Sequence, residues 1–238
     1  MAKRRVLITG AAGNIGTKLS NAFKDKYHLV LLDRNRLGAL NSICADLSTY
    51  DEDWVKHFEN VPTVVHLAAN PNERARWQEL IRDNIDSVLN VCHACVKKNV
   101  GRLIFASSCH TMGGYKDQNV DLITADMEPL PDCDYGASKL IGERICKSFS
   151  DRYPLSVICL RIGWVPRRDT RPSKDVDPWL RRLWLSNRDL VEVFEKAIEA
   201  KNIKFEILYA MSNNKGMNWN LQATMEILDY QPMDGINS

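Results

Sequence analysis

The chain has 238 residues, 45% apolar and 26% charged, which is enough to bury one substantial core and short enough to form a single domain over 1–238. Thirty-two basic residues against thirty acidic ones leave a net charge of +2, too balanced for nucleic acid or an anionic membrane as the main partner, so a small-molecule substrate is expected. No apolar run reaches the ~18 residues of a membrane span, "MAKRRVLITG" carries no signal region, and the seven cysteines are an odd number in a chain too long to need stapling. A cytoplasmic protein with reduced thiols is expected.

In chain order, "RRVLITG", "YHLVLLD", a weaker run near "NSICADL", "TVVHLAA", "RLIFASS", "LSVICLRIG" and "FEILYA" read as strands separated by segments of helical period. Most are apolar at successive positions rather than alternating. Continuous apolarity implies that both faces are covered, which predicts an α/β fold with a doubly wound parallel sheet of the Rossmann type.

The first strand runs into "TGAAGNIG", with Gly10, Gly13 and Gly16 around Asn14 and Ile15 and a helix predicted from about Thr17. Glycines between a first strand and first helix let the backbone turn and approach a pyrophosphate, whose charge suits the free N–H groups of the helix start. Asp33 ends the second strand, about 20 residues on, where a carboxylate accepts hydrogen bonds from ribose hydroxyls and favours NAD. Arg34 and Arg36 follow and leave NADP as the lesser reading, because a carboxylate beside a 2′-phosphate repels it. Asp46 and Leu47, after the third strand, are candidates for the adenine; capping of the next turn competes as a role for Asp46.

"CHAC" at 92–95 sits inside a helical apolar pattern with no second cysteine pair at zinc spacing, so core packing is expected of Cys92 and Cys95. "RLIFASSCHTMGGY" at 102–115 places hydroxyls, a thiol and an imidazole at a strand end, where ligands of open α/β sheets sit. Ser107 reads equally as a group that satisfies backbone polar atoms, Cys109 as a small buried hydrophobe and His110 as a structural histidine with its bonds met. "VPRRDTRPSKDVDP" at 165–178 is the one long irregular stretch and a candidate loop over the site.

Together "TGAAGNIG", "HLAAN", "FASSCHTMGG" and "YGASK" resemble the extended short-chain dehydrogenase/reductases of the NAD-dependent epimerase/dehydratase branch, in the family's order and across nearly the whole chain. The resemblance implies a catalytic set of Ser108, Tyr135 and Lys139. It also implies cofactor contacts from Leu67, Ala68, Ala69 and Ile162, and a bracing or cofactor role for Asn84. The spacing of Tyr135 and Lys139 makes chemical sense by itself: residues four apart share a helix face, so the ammonium favours the phenolate and lowers the tyrosine pKa. Tyr135 would then take a proton from a substrate hydroxyl while hydride leaves for the nicotinamide and Ser108 holds the oxygen, with no metal required.

Within that superfamily the likeness is greatest to the uronate dehydrogenases, through "SSCHTMGGY", "CLRIG", "LWLSNRDLVEVFEKAI" and "LDYQPMDG". It implies a carbohydrate substrate bound by Ser108, Cys109, His110 and an arginine, assigned to Arg171 over Arg167 and Arg168, in a pocket built mainly from about 163–238. The chain departs from the pattern at Cys109, Pro71 and Trp164, where the resemblance leads one to expect asparagine, serine and serine. Three readings follow: a dehydrogenase of a sugar or sugar acid, a nucleotide-sugar epimerase or dehydratase that recycles its NAD, and a non-catalytic dinucleotide sensor. The intact Ser108, Tyr135 and Lys139 favour the first. Leu140, Ile141, Ile145 and Phe149 form a stripe suited to a homodimer face or to the core.

Overall fold

In the computed structural model, residues 3–35, 42–118 and 120–236 are described. Among the described residues there are seven strands: β1 (Arg5–Thr9), β2 (His28–Asp33), β3 (Ser42–Cys44), β4 (Thr63–His66), β5 (Arg102–Ser108), β6 (Ser156–Ile162) and β7 (Phe205–Ala210). They form one sheet in the order β3-β2-β1-β4-β5-β6-β7, and every neighbouring pair is parallel. All seven segments read as strands lie in it. The chain moves outward one way from β1 to β3 and the other way from β4 to β7, so the order reverses between β1 and β4. That reversal opens a crevice above the carboxyl ends of those two strands.

Eight α-helices accompany the sheet among the described residues: α1 (Asn14–Phe23), α2 (Glu52–Val55), α3 (Trp77–Leu80), α4 (Ser87–Lys97), α5 (Asp134–Arg152), α6 (Pro178–Arg182), α7 (Asn187–Glu199) and α8 (Gln222–Leu228). Burial explains their placement. Leu190, Val193, Phe194, Ala197 and Ile198 put a helical apolar stripe of α7 into one core beside Leu19 and Phe23 of α1, on one face of the sheet. On the other face, Trp54 and Val55 of α2, Val91 and Cys95 of α4, and Cys146 and Phe149 of α5 pack with Val64, Leu103 and Val157. With both faces covered, every residue of β5 is buried, which is why Leu103–Ala106 are apolar at successive positions between Arg102 and the two serines.

A third cluster forms outside the sheet, where Met112, Ile123, Leu183, Met211 and Trp219 pack under the tight helical turns of Cys109–Asp117. The 163–185 excursion is tied down by Trp164, whose N–H donates to Leu183 O at 2.7 Å and whose carbonyl accepts from Leu185 N at 2.8 Å. Cys92 and Cys95 lie in the α4 core, where the hydrogen bond with Cys146 and then burial push the Cys92 thiol well up and burial does the same for Cys95, as packing requires. Of the apolar stripe on α5, Phe149 is buried, Ile145 packs against it, and Leu140 and Ile141 stay half-buried.

Helix α1 opens at Asn14, three residues earlier than the pattern predicts, because Gly13 takes the N-cap position and Thr17 N already bonds to Gly13 O at 3.0 Å. Asn14, Ile15 and Gly16 are thereby brought into its first turn. Gly10 has a φ of +67°, and a Cβ there would lie 2.6 Å from Ala68 N. Gly16 is as constrained, since its Cβ would fall 2.2 Å from Gly10 O. No side chain fits the contact between the first turn and the end of β4. Gly10→Ala is expected to cost at least about 2 kcal/mol, from a left-handed backbone plus overlap. In a chain of this size that lowers the thermal midpoint by roughly 4–8 °C, which differential scanning calorimetry reads directly.

Candidate active site

A cleft of about 980 Å³ opens along the carboxyl ends of the strands. Gly10, Gly13, Asn14, Ile15 and Gly16 form its floor at the start of α1; Leu67, Ala68 and Ala69 continue from β4, and Ile162 from β6. Asp33 and Leu47 line the far end. Asp33 is held by the backbone: Ala12 N donates to Oδ2 at 2.9 Å and Asn35 N to Oδ1 at 2.8 Å. Each oxygen accepts one of these bonds and keeps acceptor capacity for a further donor. A glycine cradle that no Cβ could enter, at a helix start, with a carboxylate at the tip of β2, fits a dinucleotide.

Several expected contacts fall elsewhere. Arg34 lines the cleft but is drawn into an ion pair with Asp83 at 2.6 Å, so its charge is already met. Arg36 lies outside the described residues. Asp46 does not face the cleft: it accepts from Ser48 N and Oγ at 3.1 and 2.7 Å and pairs with Arg82, the capping role that competed with adenine contact. Asn84 is buried within a π-helical turn, Ile81–Asp86, and is absent from the residues lining the cleft. Its Oδ1 accepts from Asn70 N at 2.7 Å, and its amide donates to Ser138 Oγ at 2.9 Å, which in turn donates to Tyr135 O at 2.7 Å. Arg171 is exposed and off the cleft, whereas Arg167 and Arg168 line it. The loop that carries them is drawn over α1 by Asn14, which donates to Val165 O at 2.9 Å, and by Lys18, which donates to Pro166 O. That tether turns 165–168 inward and leaves residue 171 beyond the rim. The C-terminal contribution to the cleft ends at Leu183, short of the expected span to 238.

The other end of the cleft gathers the reactive groups. Ser108 ends β5, and its Oγ accepts from His110 N at 3.2 Å, capping the turns that follow. Tyr135 lies in the first turn of α5, half-buried, and lines the cleft together with Ser108. Lys139, one turn on, is buried; its Nζ donates to Ala106 O at 2.8 Å and stands 5.8 Å from the Tyr135 ring centre. The electrostatics differ from the expectation of an ammonium-lowered phenol. Burial raises the Tyr135 pKa, and the neighbouring Ser108 hydroxyl is the chief influence against it. Burial also loosens the Lys139 proton, bringing that group down to about 8. Desolvation disfavours both charged forms and here outweighs their mutual support.

Cys109 is buried, its Sγ 3.4 Å from Arg161 O, and burial pushes its thiol well up, so it serves the cleft floor as an inert group. His110 is held on both sides: Nδ1 lies 2.9 Å from Asp132 Oδ1 and Nε2 3.1 Å from Glu73 Oε1. Burial alone would lower its pKa, but the bonds and charges of Asp132 and Glu73 prevail and raise it. The ring stands edge-on to Tyr135 at 5.7 Å.

Beneath the site lies a set that the sequence reading did not single out. Glu143 takes Arg161 through two bonds of 2.9 Å, and Ser107 Oγ donates to Glu143 Oε1 at 2.6 Å, all buried. The signal was present: Tyr135, Lys139 and Glu143 recur at intervals of four along one face of α5. Glu73 and Asp132 carried no such signal, being 37 and 22 residues from His110.

The switch-point crevice and the Ser108, Tyr135 and Lys139 cluster define a dinucleotide-binding α/β protein with oxidoreductase geometry. Residues 6–175 match the NAD dependent epimerase/dehydratase family, and the chain belongs to this family of NAD-dependent enzymes. It is 32% identical to the L-arabinose 1-dehydrogenase (NAD(P)(+)) of Haloferax volcanii, over 97% of this chain and 96% of that protein. It is 30% identical to the uronate dehydrogenase of Pseudomonas syringae pv. tomato, over 97% and 82%. The crystal structure of uronate dehydrogenase from Agrobacterium tumefaciens superposes with a TM-score of 0.86 at 25% identity, covering 99% of this chain and 86% of that one. No helix among the described residues is long and apolar enough to cross a membrane.

Two predictions follow from the buried charges. Glu143→Gln leaves the Arg161 guanidinium buried without a counter-charge and is expected to cost about 3–5 kcal/mol, read as a lower urea midpoint. Lys139 has a folded pKa of about 8 against an ordinary 10.5, so the unfolded chain binds more protons between those values and stability rises with pH across that window. Lys139→Met should flatten that rise in pH-dependent thermal melts; an unchanged slope would show that Lys139 does not produce it.

Proposed function

We propose that the protein oxidises a hydroxyl of a sugar or sugar acid, uronates included, and passes the hydride to NAD. The observation that carries the reading is the meeting of Ser108, Tyr135 and Lys139 at one end of the cleft whose other end holds the glycine cradle and Asp33. Relatives named as dehydrogenases of an aldose and of uronates, matched over nearly the whole chain, support the carbohydrate class. NAD, when bound, supplies the hydride acceptor. Asp33 accepts hydrogen bonds from ribose hydroxyls, and the Arg34–Asp83 pair favours NAD over NADP because it neutralises the cation that a 2′-phosphate would need.

The remaining chemistry belongs to the chain. Tyr135 acts as the base once its own phenolic proton has left to solvent: the phenolate Oη then receives the proton of the substrate hydroxyl, and Ser108 Oγ hydrogen-bonds the same oxygen as it becomes a carbonyl. Lys139, anchored on Ala106 O, holds positive charge on the tyrosine side and eases the phenol towards its anion during transfer. Ile162 and the alanines after β4 keep water from the reacting carbon. Arg167 and Arg168, rather than Arg171, are the cleft arginines available to an acidic sugar.

The test is reduced-nicotinamide absorbance on mixing protein with NAD and a panel of aldoses, hexuronates and polyols. Reduction with at least one sugar is expected, falling by about 10²–10⁴-fold in Tyr135→Phe, the range for loss of a general base, while calorimetry shows NAD binding retained. A Tyr135→Phe variant as fast as wild type would remove Tyr135 from the mechanism.

A further inference from the structure

We propose that His110, Asp132 and Cys133 form a binding site for a thiophilic divalent cation of the zinc class, and that its occupancy inhibits the enzyme. An imidazole nitrogen, a carboxylate oxygen and a sulfur here have their ligand atoms within 4.8 Å of one another. His110 Nδ1 is 2.9 Å from Asp132 Oδ1 and 3.8 Å from Cys133 Sγ. Zinc bonded at about 2.0–2.3 Å in a tetrahedron separates neighbouring donor atoms by roughly 3.3–3.7 Å. The two separations from His110 Nδ1 lie within a few tenths of an ångström of that range, so small side-chain rotations bring the imidazole to both other donors.

The second ring nitrogen supplies an independent indication. Nε2 faces Glu73 Oε1 at 3.1 Å, which is the arrangement of a metal-bound imidazole whose outer nitrogen donates to a carboxylate. Glu73 thereby fixes the ring and leaves Nδ1 as the ligand. The donor set selects the metal: sulfur and imidazole suit zinc, cadmium or cobalt and disfavour magnesium or calcium. On binding, the Cys133 thiol proton and the His110 Nδ1 proton leave to solvent; thiolate and carboxylate then balance the two positive charges of the ion. The fourth position opens to the cleft, because His110 lines it and the His110 and Asp132 side chains are 28% and 34% exposed.

The location gives the consequence, which rests on the function proposed above. Cys133 caps α5 by accepting from Gly136 N at 3.4 Å, two residues before Tyr135, and His110 follows Ser108 by two. An ion held between them ties the two catalytic segments together and occupies the rim where the substrate enters.

The experiment is a titration of metal-free protein with Co²⁺. One equivalent is expected to bind with a near-ultraviolet thiolate-to-cobalt band, to be displaced by Zn²⁺ and to be untouched by excess Mg²⁺. Cys133→Ser should lose that band; serine is itself a good helix cap, so the variant is expected to fold, which circular dichroism verifies. His110→Ala should weaken binding by at least tenfold. Cys44→Ser, which removes the exposed cysteine away from the cleft, should leave the band intact. A cobalt complex without thiolate character, or an undiminished band in Cys133→Ser, would overturn the site. In the second arm Zn²⁺ should slow sugar oxidation by wild type and not by Cys133→Ser; equal rates with and without Zn²⁺ in wild type would overturn the inhibition. A protein that oxidises no sugar would strike the proposed function and leave the cobalt result to decide the site.

Discussion

Parallel pairing of all seven strands obliges every carboxyl end to face the same edge of the sheet. Nearly everything functional follows from that constraint. The glycine turn after β1, the carboxylate of β2, the alanines after β4 and the serines of β5 come from distant parts of the chain, yet share one edge because their strands run the same way. The reversal of order between β1 and β4 then keeps the helices apart at that point and leaves room for a ligand. The closeness of Gly10 to Ala68 is the local cost of bringing the two strands together there.

A second constraint fixes the depth of α5 against the sheet. Tyr135 and Lys139 meet Ser108 only when α5 is seated correctly on β5 and β6. Glu143 seats it, joined to Arg161 of β6 and Ser107 of β5 at distances from 2.6 to 2.9 Å. A buried pair of this kind adds little net stability, but it is costly to misplace, so it penalises any sliding of the helix. Lys139 reinforces the register through Ala106 O, and Asn84 through Ser138. Tyr135 therefore rests on polar anchors placed about one and two helical turns behind it.

How much of this was legible follows from how far apart the partners lie in the chain. The strands were readable because burial on both faces erases alternation, so "RLIFASS" and "LSVICLRIG" announce themselves. The glycine cradle and the Tyr135–Lys139 pair were readable because their geometry is local, within one turn or one helix. Asp46 and Arg171 were misplaced because their partners are not local: Arg82 claims Asp46 from 36 residues away, and the tether from Asn14 to Val165 crosses 151. The lowering expected for Tyr135 failed for a related reason. Spacing shows which charges are neighbours, but burial is set by the whole fold, and here desolvation is the larger effect on both groups.

The central claim is that hydride passes directly from a sugar carbon to NAD at the Ser108–Tyr135 end of the cleft. Mass spectrometry of the reduced cofactor, formed from a sugar deuterated at the carbon that is oxidised, tests it most directly. Direct transfer predicts reduced nicotinamide carrying the deuterium. Reduced cofactor that lacks the label, or label lost to water during turnover, would contradict the account.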